Sequence, residues 1–122
     1  MRHRGVRPRD AASLIAWRGR GDGVEILMGR RAAGHVFMPN VWVFPGGRVE
    51  PDDARVVPAS PLRDDVEARL LRAATARRAR ALAVAAVRET FEETGLFLGG
   101  ARRPPLWDAA IQPRLDGLDY FY

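Results

Sequence analysis

Three glutamates close together in the sequence, Glu89, Glu92 and Glu93, have the types and the spacing of a metal-binding cluster. At positions i, i+3 and i+4 of a helix, their carboxylates lie on one face. Each like-charged pair at this spacing costs roughly 0.2–0.5 kcal/mol, so a cation beside the cluster would stabilise the helix. Carboxylates without a neighbouring Cys or His suit a hard divalent ion such as Mg²⁺. The spacing alone leaves a second interpretation open, in which the glutamates form a solvated acidic face.

A helix that ends at Gly95 is the element that would position these glutamates. Residues 79–87 are rich in alanine and contain neither Gly nor Pro, which favours a helix, and glycine is common just past a helix end. Arg88 precedes Glu92 by four positions, which is the weaker orientation for an ion pair on a helix. One guanidinium also does not neutralise three carboxylates, so we expect a further cation. The apolar residues that the helix would bury on its other side are Val84, Val87 and Phe91.

Two motifs in the chain together resemble the Nudix box. Residues 88–96 read Arg-Glu-Thr-Phe-Glu-Glu-Thr-Gly-Leu and fit its second half, and residues 44–47 read Phe-Pro-Gly-Gly, which opens the box in many members. The resemblance to the Nudix hydrolase superfamily implies an α+β fold, with a mixed β-sheet sandwiched between helices. It also implies a hydrolase that acts on acid anhydrides, cleaves diphosphate linkages and uses Mg²⁺ or Mn²⁺.

The same resemblance implies roles for individual residues. Glu89 would be a third metal ligand or the base that acts on the attacking water, and Arg88 would orient the carboxylates. Arg30 and Arg31 would face substrate phosphates, with exposure on a loop as the alternative. The implied metal ligands are Glu92, Glu93, Glu89 and the Gly46 carbonyl; the catalytic residues are Glu89, Arg88 and Glu92; the substrate-binding residues are Arg30, Arg31 and Gly47; and the structural positions are Asp53 and Gly95.

An insertion interrupts the box between its two halves. The family pattern places a Glu six positions after Gly47, where this chain has Asp53. Arg88 then stands 35 positions after Asp53 instead of eight, an insertion of 27 residues. Whether Asp53 reaches Arg88 is therefore open. Within the insertion, assigned to residues 54–80, the apolar spacing predicts an extra helix over residues 62–73.

An interrupted box of this kind resembles one branch of the superfamily. His35-x-Phe-Met-Pro and the run Gly-Gly-Arg-Val-Glu-Pro-Asp-Asp carry the resemblance. The branch includes the peroxisomal coenzyme A diphosphatases and bacterial relatives of unassigned substrate. It implies a nucleoside diphosphate derivative as substrate, with coenzyme A or acyl-CoA as one candidate. The alternative function is a catalytically weak Nudix-like module that binds a nucleotide or another protein.

Three short apolar runs predict the strands that precede the box helix. Residues 11–17 and 24–28 are strand-like, and the glycines between them predict an antiparallel hairpin. Residues 41–44 form a third run, which we expect to lead into a Pro-Gly-Gly turn. In that run Trp42 and Phe44 alternate with two valines, so one pair would face the core.

Composition narrows the class of protein. The 122 residues suffice for one domain, assigned to residues 11–122 after a basic tail over residues 1–10. All 20 basic residues are arginine, which is typical of genome-wide bias, so the net charge of +5 does not predict a nucleic-acid partner. The absence of cysteine and of a long apolar run suits a cytoplasmic protein without a membrane span. The expected partners are a small-molecule nucleotide diphosphate and, as a homodimer, a second copy of the chain.

The C-terminal part predicts an incomplete Nudix domain. Only 26 residues follow Leu96, and Pro104, Pro105 and Pro113 among them cannot donate to a central strand ladder. The chain then ends on a strand-like aromatic run, residues 118–122. We therefore expect the late strands of the fold to be missing.

Overall fold

A computed structural model describes residues 5–31, 40–99 and 118–121 of the chain. The described residues form seven short strands, two α-helices and two 3₁₀ helices, the latter at Gly21–Gly23 and Pro51–Arg55. His35 and the three prolines at positions 104, 105 and 113, which the sequence analysis singled out, lie outside these ranges. The strands and helices are β1 Ala11–Ser13, β2 Trp17–Arg18, β3 Glu25–Ile26, β4 Met28–Arg31, β5 Trp42–Val43, β6 Gly46–Arg48, α1 Asp64–Leu70, α2 Ala76–Thr94 and β7 Leu118–Phe121.

The described strands pair in three small antiparallel groups. β1 pairs with β6, β2 pairs with β3, and β4 lies between β5 and β7. The mixed sheet that the family resemblance implies is not formed by these strands, since every pair among them is antiparallel. Strands of two to four residues cannot extend a ladder far before the chain changes partner.

The predicted hairpin is present at β2 and β3, on either side of the 3₁₀ turn at Gly21–Gly23. Its ladder continues where the Leu27 N–H donates to the Ala16 carbonyl at 2.8 Å. The hairpin does not use the whole of either strand-like run. The first run begins with β1, which pairs with β6, and the second run leads into β4, which pairs with β5. The apolar pattern marks extended backbone but does not show where one run divides between two neighbours.

Helix α2 carries the glutamates and ends where the sequence predicts. The Thr75 hydroxyl caps its start by accepting from the Arg78 N–H at 3.2 Å, and Gly95 follows its last residue with φ of 76°. That left-handed conformation favours glycine. The Gly95 N–H donates to the Phe91 carbonyl at 2.8 Å, which closes the last turn. The shorter helix α1 lies inside the range predicted for an extra helix.

The apolar side of α2 packs on a small core. Val56, Val84 and Phe91 form its buried cluster, and Val87 and Phe97 pack against them. The Trp42 and Phe44 pair is the more exposed side of its strand, at 50% and 36%, so the valines face inward. Among the described residues, neither helix combines the length and hydropathy that crossing a membrane requires.

Candidate functional site

A cleft of about 490 Å³ opens between the β1–β6 pair, the β4–β5 pair and the end of α2. Its walls contain one cation, Arg31, and one carboxylate, Glu93, among small and apolar residues. This combination of charges can bind an anion together with a cation. The lining residues are Ala11, Ala12, Ser13, Arg31, Val43, Phe44, Gly46, Gly47 and Glu93.

The chain bends at Pro45, but the two glycines of the Phe-Pro-Gly-Gly run lie in strand β6, so the predicted turn does not extend through them. Both glycines permit a close approach of neighbouring atoms. A β-carbon at Gly46 would meet the Ala12 carbonyl oxygen and lie 2.7 Å from Ser13 Cα. A β-carbon at Gly47 would lie 2.5 Å from Glu89 Cδ and 2.7 and 2.8 Å from its two carboxylate oxygens. The Glu89 carboxylate therefore packs directly against Gly47, one of the residues that line the cleft.

The guanidinium of Arg88 is buried and holds three carboxylates. Its Nε and Nη2 donate to Asp53 Oδ1 and Oδ2 at 2.7 and 3.1 Å, a bidentate pair. Its Nη1 donates to Glu89 Oε1 and Glu92 Oε1, both at 3.1 Å. Nη2 also donates to the Arg48 carbonyl at 2.9 Å. These five hydrogen bonds match the five N–H groups of a guanidinium, so Arg88 fixes the orientation of the carboxylates around it.

The structure brings Asp53 to Arg88 despite the insertion between them. Asp53 lies in the 3₁₀ helix Pro51–Arg55, directly after β6, and is only 1% exposed. Its Oδ2 also accepts from the Glu50 N–H at 2.7 Å. The carboxylate is thus held by backbone on one side and by the guanidinium on the other. Residues that are 35 positions apart in sequence form one buried ion pair.

The electrostatics of the site leave room for a second cation. Burial lowers the pKa of the Arg88 guanidinium, but the hydrogen bond to Asp53 and the charges of Asp53, Glu89 and Glu92 outweigh it, so the net pKa is raised. Arg88 therefore stays charged at every ordinary pH. The three carboxylates bound to Arg88, those of Asp53, Glu89 and Glu92, carry more negative charge than its single positive charge offsets.

The donors present fit a partial site for a hard divalent ion. Among the described residues, no group of three or more His, Asp or Glu side chains is placed so that it could hold a metal ion together. Mg²⁺ does not need such a group, because it takes one or two carboxylates and completes its shell with water and substrate phosphates. Glu89 and Glu93 at the cleft, together with the Gly46 carbonyl, are all oxygen donors of that kind.

The structure separates residues that the sequence grouped together. Arg31 lines the cleft, whereas Arg30 lies on the other face of β4 and donates to Asn40 Oδ1 at 3.4 Å. Glu93 likewise lines the cleft, whereas Glu92 is 7% exposed and bound to Arg88. Arg31 and Glu93 thus face the cleft, and Arg30 and Glu92 do not line it.

Sequence reasoning missed Ser13 and Val43, which also line the cleft. Ser13 lines the cleft because its strand pairs with β6, in the register Ser13↔Gly46. Val43 enters because the inward face of its strand is the valine face. A register between strands more than 30 positions apart has no local signal in the sequence, so the spacing of motifs could not have identified either residue.

Comparison with known proteins gives one solved structure of similar shape and sequence. No protein-family model and no curated protein matches the chain. The NUDIX hydrolase from Alicyclobacillus acidocaldarius is 35% identical to it over 77% of this chain, with a TM-score of 0.56. The chain spans 40% of the length of that protein. This similarity supports the Nudix superfamily for the present chain and a Nudix-like fold for the part that the match covers.

Proposed function

We propose that this chain acts as a Nudix-type, metal-dependent hydrolase that cleaves the diphosphate linkage of a nucleoside diphosphate derivative. The observation that carries the proposal is the position of the Glu89 carboxylate, which packs on Gly47 beside the cleft that Glu93 and Arg31 line. The similarity to a NUDIX hydrolase supports the same reaction class.

The reaction requires neutralisation of the diphosphate, because its negative charge repels an attacking water. A bound Mg²⁺ or Mn²⁺ would supply that neutralising charge as a Lewis acid. Glu93, Glu89 and the Gly46 carbonyl are the groups that would hold it, whereas Glu92, a metal ligand by the family resemblance, is buried against Arg88 and does not line the cleft. Arg31 supplies a second positive charge in the lining of the same cleft, where a guanidinium can bind phosphate oxygens in a bidentate manner.

Glu89 is the residue best placed to accept the proton of the attacking water. Its carboxylate is 12% exposed and is bound on one oxygen by Arg88 at 3.1 Å. Held against the Gly47 backbone, it is restricted in orientation, which a general base requires. Arg88 does not touch the substrate in this arrangement, and it acts by positioning Glu89 and Glu92.

Coenzyme A or an acyl-CoA is the substrate candidate that we propose within this class. The support comes from the sequence, since the interrupted box resembles the coenzyme A diphosphatase branch. A cleft of about 490 Å³ falls in the range of roughly 300–1,000 Å³ that is typical of small-molecule sites.

The test is a panel of nucleotide diphosphates, including coenzyme A, assayed with and without Mg²⁺ and Mn²⁺. We expect turnover of at least one substrate with metal, and its loss in Glu89→Gln and Glu93→Gln. Glu25→Gln is the matched control, because Glu25 is exposed and pairs with Arg18 on the hairpin. Nucleotide binding without turnover in any metal would contradict the enzyme and favour a binding module.

A further inference from the structure

Strand β1 forms one wall of the cleft but is held by little apolar burial. Ala11 and Ser13 are exposed and Ala12 is half-buried. The strand pairs with β6, and its ladder extends by two backbone bonds, from the Val49 N–H to the Asp10 carbonyl at 2.9 Å and from the Leu14 N–H to the Pro45 carbonyl at 2.8 Å. The position of β1 relative to α2 therefore depends on contacts other than a hydrophobic core.

One ion pair joins the start of β1 to α2 across 68 positions of sequence. Arg78 Nε donates to Asp10 Oδ2 at 2.6 Å, and Arg78 Nη2 donates to Asp10 Oδ1 at 2.5 Å. The pair is bidentate, so it fixes direction as well as distance. Arg78 is itself held in place, because its backbone N–H donates to the Thr75 hydroxyl that caps α2.

We propose that Asp10 and Arg78 are a positioning pair that holds β1 against α2 and so sets the width of the cleft. Arg78 lies near one end of α2, and Glu89 and Glu93 lie near the other. Because a single helix links them, an anchor at Arg78 places the wall formed by Ala11–Ser13 relative to the glutamates. The consequence for substrate binding rests on the proposed hydrolase function, whereas the anchoring of β1 does not.

A surface ion pair with no further role is the competing interpretation, because most such pairs contribute little. Two features distinguish this pair, whose side chains are 53% exposed for Arg78 and 35% exposed for Asp10. It is bidentate, and Asp10 directly precedes the strand that it would position. The hydrogen bond and charge of Arg78 also lower the pKa of Asp10, which keeps the carboxylate ionised.

The test compares Arg78→Gln with Arg80→Gln, an exposed arginine on the same helix whose loss changes the net charge equally. The first readout is amide hydrogen exchange at Val49 and Leu14, whose N–H groups extend the β1–β6 ladder. We expect exchange at both to rise about two- to fivefold in Arg78→Gln and to stay at the parent level in Arg80→Gln. The double variant Asp10→Arg with Arg78→Asp should restore protection.

The second readout is steady-state kinetics with the substrate that the panel identifies. A wider cleft should raise KM about two- to fivefold in Arg78→Gln with kcat nearly unchanged, and the charge-swapped double variant should reverse the change. Equal exchange in all variants would overturn the proposal. If neither the parent protein nor any variant turns over substrate, the hydrolase proposal fails. The amide exchange rates then still decide whether the Asp10–Arg78 pair positions β1.

Discussion

The carboxylate of Glu89 occupies the space next to Gly47 that the β-carbon of any other residue would need. A β-carbon there would lie 2.5 Å from Glu89 Cδ, well inside van der Waals contact. The glycine is therefore required by the close approach of a side chain rather than by a turn. Arg88 holds the same carboxylate from the other direction, so Glu89 is confined between strand β6 and the guanidinium.

Replacing Gly47 with alanine should displace Glu89 and reduce turnover. A shift of about 1 Å in a reacting group can cost on the order of 10²-fold in rate, so we expect a fall in kcat of that size. Steady-state kinetics and a thermal melt would measure it. Gly23→Ala is the control, because a β-carbon there meets nothing within 4 Å. An unchanged kcat in Gly47→Ala would show that the position of Glu89 does not matter.

Glu89→Gln should lower kcat far more than it changes KM. The amide keeps the size of the side chain but cannot accept a proton, and a general base typically contributes about 10²–10⁴-fold. If Glu89 acts mainly in the transition state, KM should change little. Kinetics at saturating metal would measure both constants. A loss of less than tenfold would reduce Glu89 to a minor role.

Divalent metal should raise the melting temperature of the protein, and Glu93→Gln should abolish the rise. The carboxylates at the site repel one another, so a bound cation stabilises the folded state by linkage. Removal of one charge relieves repulsion, so the metal-free variant should melt no lower than the parent. Melting curves with and without Mg²⁺ provide the test. Equal stabilisation of both proteins would place the metal elsewhere.

The acidic face of α2 could be predicted from the sequence because helix geometry is local. Three glutamates at i, i+3 and i+4 must share a face, and a glycine after the last turn marks the end of the helix. The structure confirms that end at Gly95, where φ is 76°. Local spacing therefore predicted which element carries the carboxylates and where it stops.

The partners of that face could not be predicted, because they come from distant strands. The spacing predicts the weaker orientation of Arg88 toward Glu92, yet the guanidinium binds Asp53, Glu89 and Glu92 together. No spacing rule reports a pair that is 35 positions apart. The ion pair of Asp10 with Arg78, separated by 68 positions, has no local signal for the same reason.

The Asp10–Arg78 pair should make stability depend on pH at the acidic end. Hydrogen bonding to Arg78 lowers the pKa of Asp10 in the folded protein. A carboxyl group whose pKa is lower in the folded than in the unfolded protein stabilises the fold at pH values above its unfolded pKa, which is about 3.9 for Asp. That contribution is lost as the pH falls through the folded pKa. The difference in unfolding free energy between the parent and Arg78→Gln should therefore persist at neutral pH and vanish at low pH. A difference that is constant down to pH 2 would exclude Asp10 as the group responsible.

Asp53→Glu should be destabilising, even though the family pattern has Glu at this position. Both oxygens of Asp53 are already bound, Oδ1 by Arg88 and Oδ2 by Arg88 and the Glu50 N–H, and the side chain is 1% exposed. One more methylene moves the carboxylate out of register with both partners and overfills the site, which typically costs about 1–3 kcal/mol.

The matched control for that change is Asp52→Glu, on the same 3₁₀ helix. Asp52 is 62% exposed and pairs with Arg55 at the surface, so an added methylene meets solvent and should be nearly neutral. Denaturant unfolding of the two variants gives the comparison, and kcat reports whether Arg88 still positions Glu89. We expect Asp53→Glu to lose both stability and turnover, because the buried guanidinium would keep its charge while losing its best-aligned partner. If Asp53→Glu were as stable and active as the parent, the length of the acid at this position would not matter, and the 3₁₀ helix would have to shift readily to accommodate the longer side chain.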